Sequence, residues 1–254
     1  MNYKILVYLL LLRTTFILAE FEDYCREDLC PTGRQHIGCN IPERSFCPPL
    51  TLLSITEVLK KFITDAHNHY RNYVAWGEDN HFDRACRMAT MQWDDELAKL
   101  AELRVLNCNM EEKEKDCHNT ENWLSSGQNI QVDHDFEGTS SILLFSLVFD
   151  RWYNASILMD REKIKSYSTE NQDVNSFLLM MLDHNDRVGC AAISYDGKGG
   201  YLTYIVVCNY AADLNKNIPV YTACRETGAS CKTGENSEFI GLCSINEKYD
   251  REKL

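Results

Sequence analysis

The chain has 254 residues, a formal net charge of −12 and twelve cysteines. That acid excess, with no basic cluster to offset it, excludes a surface built for phosphate backbones or anionic lipid. The length suffices for one good core or for a core plus a small appendage, and the high, even cysteine count fits an oxidised, exported chain rather than a zinc or CxxC redox protein.

Residues 1–19 read as a secretory leader: Lys4 opens it, residues 5–12 are apolar, Arg13 interrupts the run, and Ile17-Leu18-Ala19 ends it on a small residue. Loss of Lys4 and Arg13 with that leader would leave the remainder still more acidic. No later stretch reaches the length of a membrane span; the most apolar, residues 141–149, is about half of one.

Residues 20–53 hold Cys25, Cys30, Cys39 and Cys47 among prolines and glycine, with little apolar periodicity. Such an extension cannot make a core alone and must be stapled to something larger. Ser54-Ile55-Thr56-Glu57 has the form of a capping box, with Ser54 as the cap and Glu57 as its partner. Ile55, Leu59, Phe62, Ile63, Ala66, Tyr70 and Val74 then recur on one helical face, and Gly77 stops the helix. Trp93-Asp94-Asp95-Glu96 announces a second helix, its acids placed where the helix dipole favours them. Leu97, Leu100, Ala101, Arg104 and Val105 form its inward side, and Cys108 closes it. Residues 111–116 are a charged loop, and residues 125–130 a turn into an extended piece. Ser140 or Ser141 caps a third helix through Asp160, and residues 177–182 read as a short fourth. Residues 211–254 carry Cys224, Cys231 and Cys243 without periodicity, a tail held by its bridges.

Between the fourth helix and that tail, residues 188–195 and 201–208 are rich in β-branched and aromatic side chains and flank a glycine-rich turn. If Cys190 faces Cys208, Gly197 stands opposite Tyr201, leaving Lys198-Gly199-Gly200 as a three-residue loop with a glycine in the left-handed position. The facing pair reads as a disulfide pinning the register, with two free buried cysteines as the alternative. Helices around a small antiparallel sheet give an α+β layered domain.

Five stretches occur in order: Ala66-His67-Asn68-His69-Tyr70-Arg71, Met91-Gln92-Trp93-Asp94-Asp95-Glu96-Leu97-Ala98, Gly127-Gln128-Asn129, Val188-Gly189-Cys190-Ala191 and Val207-Cys208-Asn209-Tyr210. Together they resemble the CAP superfamily of cysteine-rich secretory proteins, antigen-five venom allergens and plant pathogenesis-related proteins, and the flanking cysteine-rich segments resemble its insect antigen-five branch. The resemblance implies a three-layer α-β-α sandwich over residues 54–212, with a cysteine-rich extension at 20–53 and a tail at 213–254. It also implies the bridges Cys25–Cys39, Cys30–Cys117, Cys47–Cys108, Cys190–Cys208 and Cys231–Cys243, and leaves Cys86 and Cys224 to pair with each other.

Many proteins of this superfamily carry two histidines and two carboxylates around a cleft, a set able to hold a divalent metal and activate its water. Here the residues before Cys117 are Glu112-Lys113-Glu114-Lys115-Asp116, with no histidine. His118, one residue beyond, reads as a surface residue, with substitution for the missing ligand as the alternative. The two carboxylate positions fall on Gln128 and Ala155, and the second histidine falls on Ser176. The expectation is therefore no metal, no cofactor and no catalytic residue, against the alternative of a metal-dependent hydrolase.

His67 and His69, two apart on a helix, face different ways and cannot chelate jointly. His67-Asn68 reads as structural hydrogen bonding, and His184, within the polar residues 183–187, as exposed. Ser176 has no histidine that the sequence places beside it as a base. The apolar residues 177–182 read as core, the alternative being a cavity for a sterol, fatty acid or eicosanoid. Asn154-Ala155-Ser156 is a glycosylation sequon. The whole reads as a secreted, extracellular, monomeric binding protein whose partner is an extracellular protein or a small apolar ligand, with no nucleic acid and no membrane span.

Overall fold

The computed structural model describes residues 23–39, 48–78, 82–107, 116–135, 138–159, 161–168 and 174–250. The leader at 1–19, Cys47, Cys108 and most of the charged loop lie outside them. The elements run β1 Gln35–His36, β2 Leu50–Leu52, α1 Glu57–Trp76, β3 Gln92–Trp93, α2 Asp95–Leu106, β4 Asp116–Cys117, β5 Gly127–Asp135, α3 Ser141–Asn154, α4 Arg161–Lys165, α5 Asn175–Met181, β6 Arg187–Asp196 and β7 Leu202–Tyr210. No helix among the described residues is long and apolar enough to cross a membrane.

β6 and β7 pair antiparallel with Cys190 opposite Cys208. Their turn closes where the Gly197 N–H donates to the Tyr201 carbonyl at 2.8 Å, and Gly199 takes φ 79°. A side chain at Gly199 would be strained there, which is why glycine occupies the turn. The main sheet has the order β2-β6-β7-β5, with β3 lying parallel beside β6. β5 extends five residues past Ile130, where the sequence alone showed only the start of an extended piece. Its polar residues Gln131, Asp133 and His134 hide the alternation, but pairing with β7 satisfies the backbone and a sheet edge tolerates polar side chains.

One face of the sheet receives α2, whose Ala101, Val105 and Leu106 pack on Ala191, Ile193, Ile205 and Val207. Gly189 lets the two layers touch: a Cβ built there would stand 2.1 Å from the Ala98 nitrogen and 2.5 Å from the Asp94 carbonyl. The other face carries α1, α3 and α5, where Ile63, Phe145, Phe149, Trp152 and Phe177 close over Ala192 and Val206. The result is the three-layer α-β-α arrangement. Phe177, Leu178, Leu179, Met180, Met181 and Leu182 are all buried in this larger cluster.

Two helix ends differ from the sequence reading. The cap of α1 is Thr56, not Ser54: its side chain accepts from the Leu59 N–H, so Glu57 falls in the first turn and pairs with Lys60. α3 begins after the Ser140 cap but ends at Asn154, and residues 155–158 tighten into a 3-10 turn closed by the Met159 N–H on the Ser156 carbonyl.

Disulfides join Cys25 to Cys39, Cys30 to Cys117, Cys86 to Cys224, Cys190 to Cys208 and Cys231 to Cys243. The Cys30–Cys117 bridge stands beside the short parallel β1–β4 pair, so bond and ladder together fix the N-terminal extension. The tail does more than hang from its bridges, since Val220, Tyr221 and Leu242 enter the large core.

Candidate functional site

The residues that recur as motifs turn inward. His67 on α1 is fully buried, and its Nδ1–H donates to the Ile63 carbonyl at 2.8 Å. That fixes the tautomer: Nε2 is left to accept from the Tyr210 hydroxyl at 3.0 Å. Asn129 in turn donates to the Ser176 carbonyl at 2.9 Å and, more weakly, to the Tyr210 oxygen at 3.4 Å. Burial first, and the Arg71 charge second, lower the His67 pKa to about 4, so the ring is neutral at physiological pH. This chain of bonds ties α1, β7, β5 and α5 together.

The next two motif residues do similar work. The Asn68 amide donates to the Met91 carbonyl at 3.0 Å and accepts from the Met91 N–H at 2.7 Å, imitating a strand partner. Arg71 is completely buried, and its guanidinium donates to the carbonyls of Ala89, Met180, Leu182 and Asp183. Burial lowers its pKa to about 10, which still leaves it charged at neutral pH. A cation held by carbonyl oxygens is a rivet between two loops. Its signal in the sequence is an arginine spaced four residues after His67 and eight after Ile63, on a face that otherwise buries. His69, on the other side of α1, is exposed, so the two histidines do not meet.

The cleft positions do not assemble a metal site. Gln128 on β5 donates to the Asn209 side-chain oxygen at 2.8 Å, and Asn209 donates to the Leu97 carbonyl at 3.1 Å. Alternation along the strand puts Gln128 on the α2 side with Ile130, while its neighbour Asn129 reaches Ser176 on the opposite side. Ala155 starts the 3-10 turn and packs against the large core. Tyr153, in the last turn of α3, meets α5 through an edge-on contact with Phe177 at 5.8 Å. Among the described residues, no group of three or more His, Cys, Asp or Glu is placed to hold a metal ion.

Two histidines sit elsewhere than expected. His118 is half-buried rather than openly exposed, with both ring nitrogens closed from solvent beside the Ser126 and Gly127 backbone. The Cys30–Cys117 bridge and the β1–β4 pair draw this segment down. Burial, then the neighbouring charges of His36 and Arg104, lower the His118 pKa to about 4. His184 is not exposed either; it is 5% accessible, with Nδ1 3.0 Å from Asp183 Oδ1. Here the tail folds back, and Thr222, Ser230 and Tyr249 line a cleft with Arg87 and the Asp183–His184 pair. Asn154 stands exposed at the end of α3.

Fold and buried motif residues together define a disulfide-stapled α-β-α sandwich whose recurring polar residues serve as scaffold. A family model described as "CAP: Cysteine-rich secretory protein family" matches residues 64–210. Venom allergen-1 of Aedes albopictus is 31% identical over 254 residues, covering 96% of each chain. The Antigen 5 like allergen Cul n 1 of Culicoides nubeculosus is 30% identical over 207 residues, 76% of this chain and 92% of that one. Among solved structures, NaASP2 with Zn2+ superposes with a TM-score of 0.59 at 20% identity, over 74% of this chain and 96% of its own, a likeness of fold. The chain belongs to the CAP, or cysteine-rich secretory protein, family, on its antigen-five and venom-allergen-like side.

Proposed function

We propose that this chain is a secreted protein of the insect antigen-five type that works by binding an extracellular protein, not by turnover. The observation that carries this is the state of the cleft positions. Gln128 has its amide engaged by Asn209, Ala155 offers no donor atom, and the Ser176 carbonyl is taken by Asn129. An amide, a methyl and a hydroxyl are poor replacements for the carboxylates and imidazoles that hold zinc and activate its water.

Export is supported by the apolar leader and by the disulfides, which persist in oxidising compartments. A protein partner is favoured over a small apolar ligand because the residues that would line a lipid cavity between helices, Phe177 to Leu182, are packed in the core.

The test is expression in insect cells, followed by N-terminal sequencing, native mass spectrometry and peptide hydrolysis with and without chelator. The expected product appears in the medium without residues 1–19, carries no stoichiometric zinc, and cleaves nothing. One zinc per chain, with cleavage lost on chelation, would overturn the binding reading. Retention inside the cell would overturn export, and a co-purified lipid at one per chain would replace the protein partner with a small ligand.

A further inference from the structure

The outward face of α3 is apolar over its first half, at Ile142, Leu143 and Leu147, where a solvated helix face is ordinarily polar. Leu143, Leu147, Asp150 and Asn154 follow one another at helical spacings of four, three and four residues, which places them in one row. Leu143 and Leu147 are 49% and 47% exposed, and the 3-10 turn beyond adds Ile157 at 81% and Leu158 at 63%. Asn154 stands between these two apolar groups, exposed, and its side chain makes no capping bond to the turn that follows. It also opens the sequon Asn154-Ala155-Ser156.

We propose that Asn154 carries an N-linked glycan whose inner sugars run back along α3 over Asp150 and Leu147, so that the chain's own carbohydrate covers the apolar strip on this helix. Cα–Cβ bonds in a helix tilt toward its N-terminus, so a substituent on Asn154 emerges over the preceding turn, toward Asp150 and Leu147. From Leu147 to Asn154 is a rise of roughly 10 Å, a span that two linked N-acetylglucosamine units can cover. The C–H faces of pyranose rings suit leucine and isoleucine side chains, while the ring hydroxyls stay in water. In the attachment step the Asn154 amide nitrogen bonds to the anomeric carbon of a lipid-diphosphate-linked oligosaccharide. The bond from that carbon to the phosphate oxygen breaks, the lipid diphosphate leaves with the electron pair, and the amide gives up one proton.

The inference rests on the secretory reading, because the transferring enzyme works in the lumen of the secretory pathway. The experiment therefore uses the full chain twice in insect cells, once with its own leader and once with a borrowed one. Intact mass and glycopeptide mapping read Asn154, and a hydrophobic fluorescent dye reads the strip in wild type, Ser156→Ala and Asn154→Gln. We expect one glycan at Asn154 and a several-fold rise in dye fluorescence in both variants. Adding Leu147→Asp to Ser156→Ala should return the signal to the wild-type level. An unmodified Asn154 in protein secreted by the borrowed leader overturns the proposal, as does a glycan whose loss leaves the dye signal unchanged. Failure of the native leader alone overturns only the secretory reading.

Discussion

Arg87 and Glu247, 160 positions apart in the chain, meet with Nε 2.6 Å from Oε1. The same carboxylate accepts from the Lys232 and Thr233 amides and the Thr233 hydroxyl, and its side chain is 1% exposed. One buried acid therefore gathers the tail and fastens it to the segment after α1.

Burial alone would raise the Glu247 pKa; the Thr233 hydroxyl, the Lys232 amide and Arg87 overcome it and hold the group at about 2. A folded value below the unfolded 4.5 means that this stabilisation is present above pH 4.5 and drains away as pH falls toward 2. Glu247→Gln should lose about 3 kcal/mol at pH 7, because Arg87 and the Lys232 and Thr233 amides lose the charge they share. Urea midpoints at pH 7 and pH 3 check this: the gap between wild type and variant should narrow in acid.

His67 also costs stability in acid, but in a higher pH window and through burial of a neutral ring. Its folded pKa of about 4 lies below the ordinary 6.5, so the unfolded chain takes up the proton first. Stability should fall as pH drops from 6.5 to 4 and level off below, by up to ~3 kcal/mol for this group. His118 acts in the same direction. In thermal melts across that range, His67→Gln should start less stable at pH 7 and fall less steeply than wild type.

Arg71 should resist conservative replacement. Its planar fork reaches four carbonyl groups, and an ammonium cannot match that spread. Arg71→Lys should destabilise the protein by about 3 kcal/mol, through carbonyl groups left buried and unpaired. A midpoint within error of wild type in denaturant would contradict the rivet role.

Gly189→Ala should be worse than its one added methyl suggests. The neighbours of the new Cβ are backbone atoms of α2, which cannot rotate away as a side chain would. The helix must lift from the sheet, opening the packing of Ala101 and Val105 on Ala191 and Val207. Low yield of folded protein, together with faster amide exchange in α2 and β6 in whatever folds, is the expected result.

How far the sequence carried the fold can be judged from particular residues. The β6–β7 register was legible because two cysteines and the glycine turn each restrict it, and they agree. The α1 cap was not, because Ser54 and Thr56 both suit the role and only the path of the preceding chain selects one. The apolar face of α1 and the structural hydrogen bonding of His67 and Asn68 were visible, but their partners and the burial of Arg71 were not, since those partners come from segments distant in sequence. His118 and His184 were misplaced for a related reason. Each is covered by a segment brought in by a disulfide or by the folded tail, and local polarity does not report such cover. For the cleft, residue identities at Gln128, Ala155 and Ser176 were readable directly. The engagement of Gln128 with Asn209 required coordinates.

The bridges also set a timetable. Cys190 and Cys208 leave the ribosome 18 residues apart, whereas Cys86 and Cys224 are separated by 138. At usual elongation rates Cys86 waits on the order of ten seconds for its partner, during which every other emerging thiol competes for it. Any thiol that pairs with Cys86 in that interval must be exchanged before the native bridge can form, and the yield of native protein should then track the isomerase supply of the producing cell.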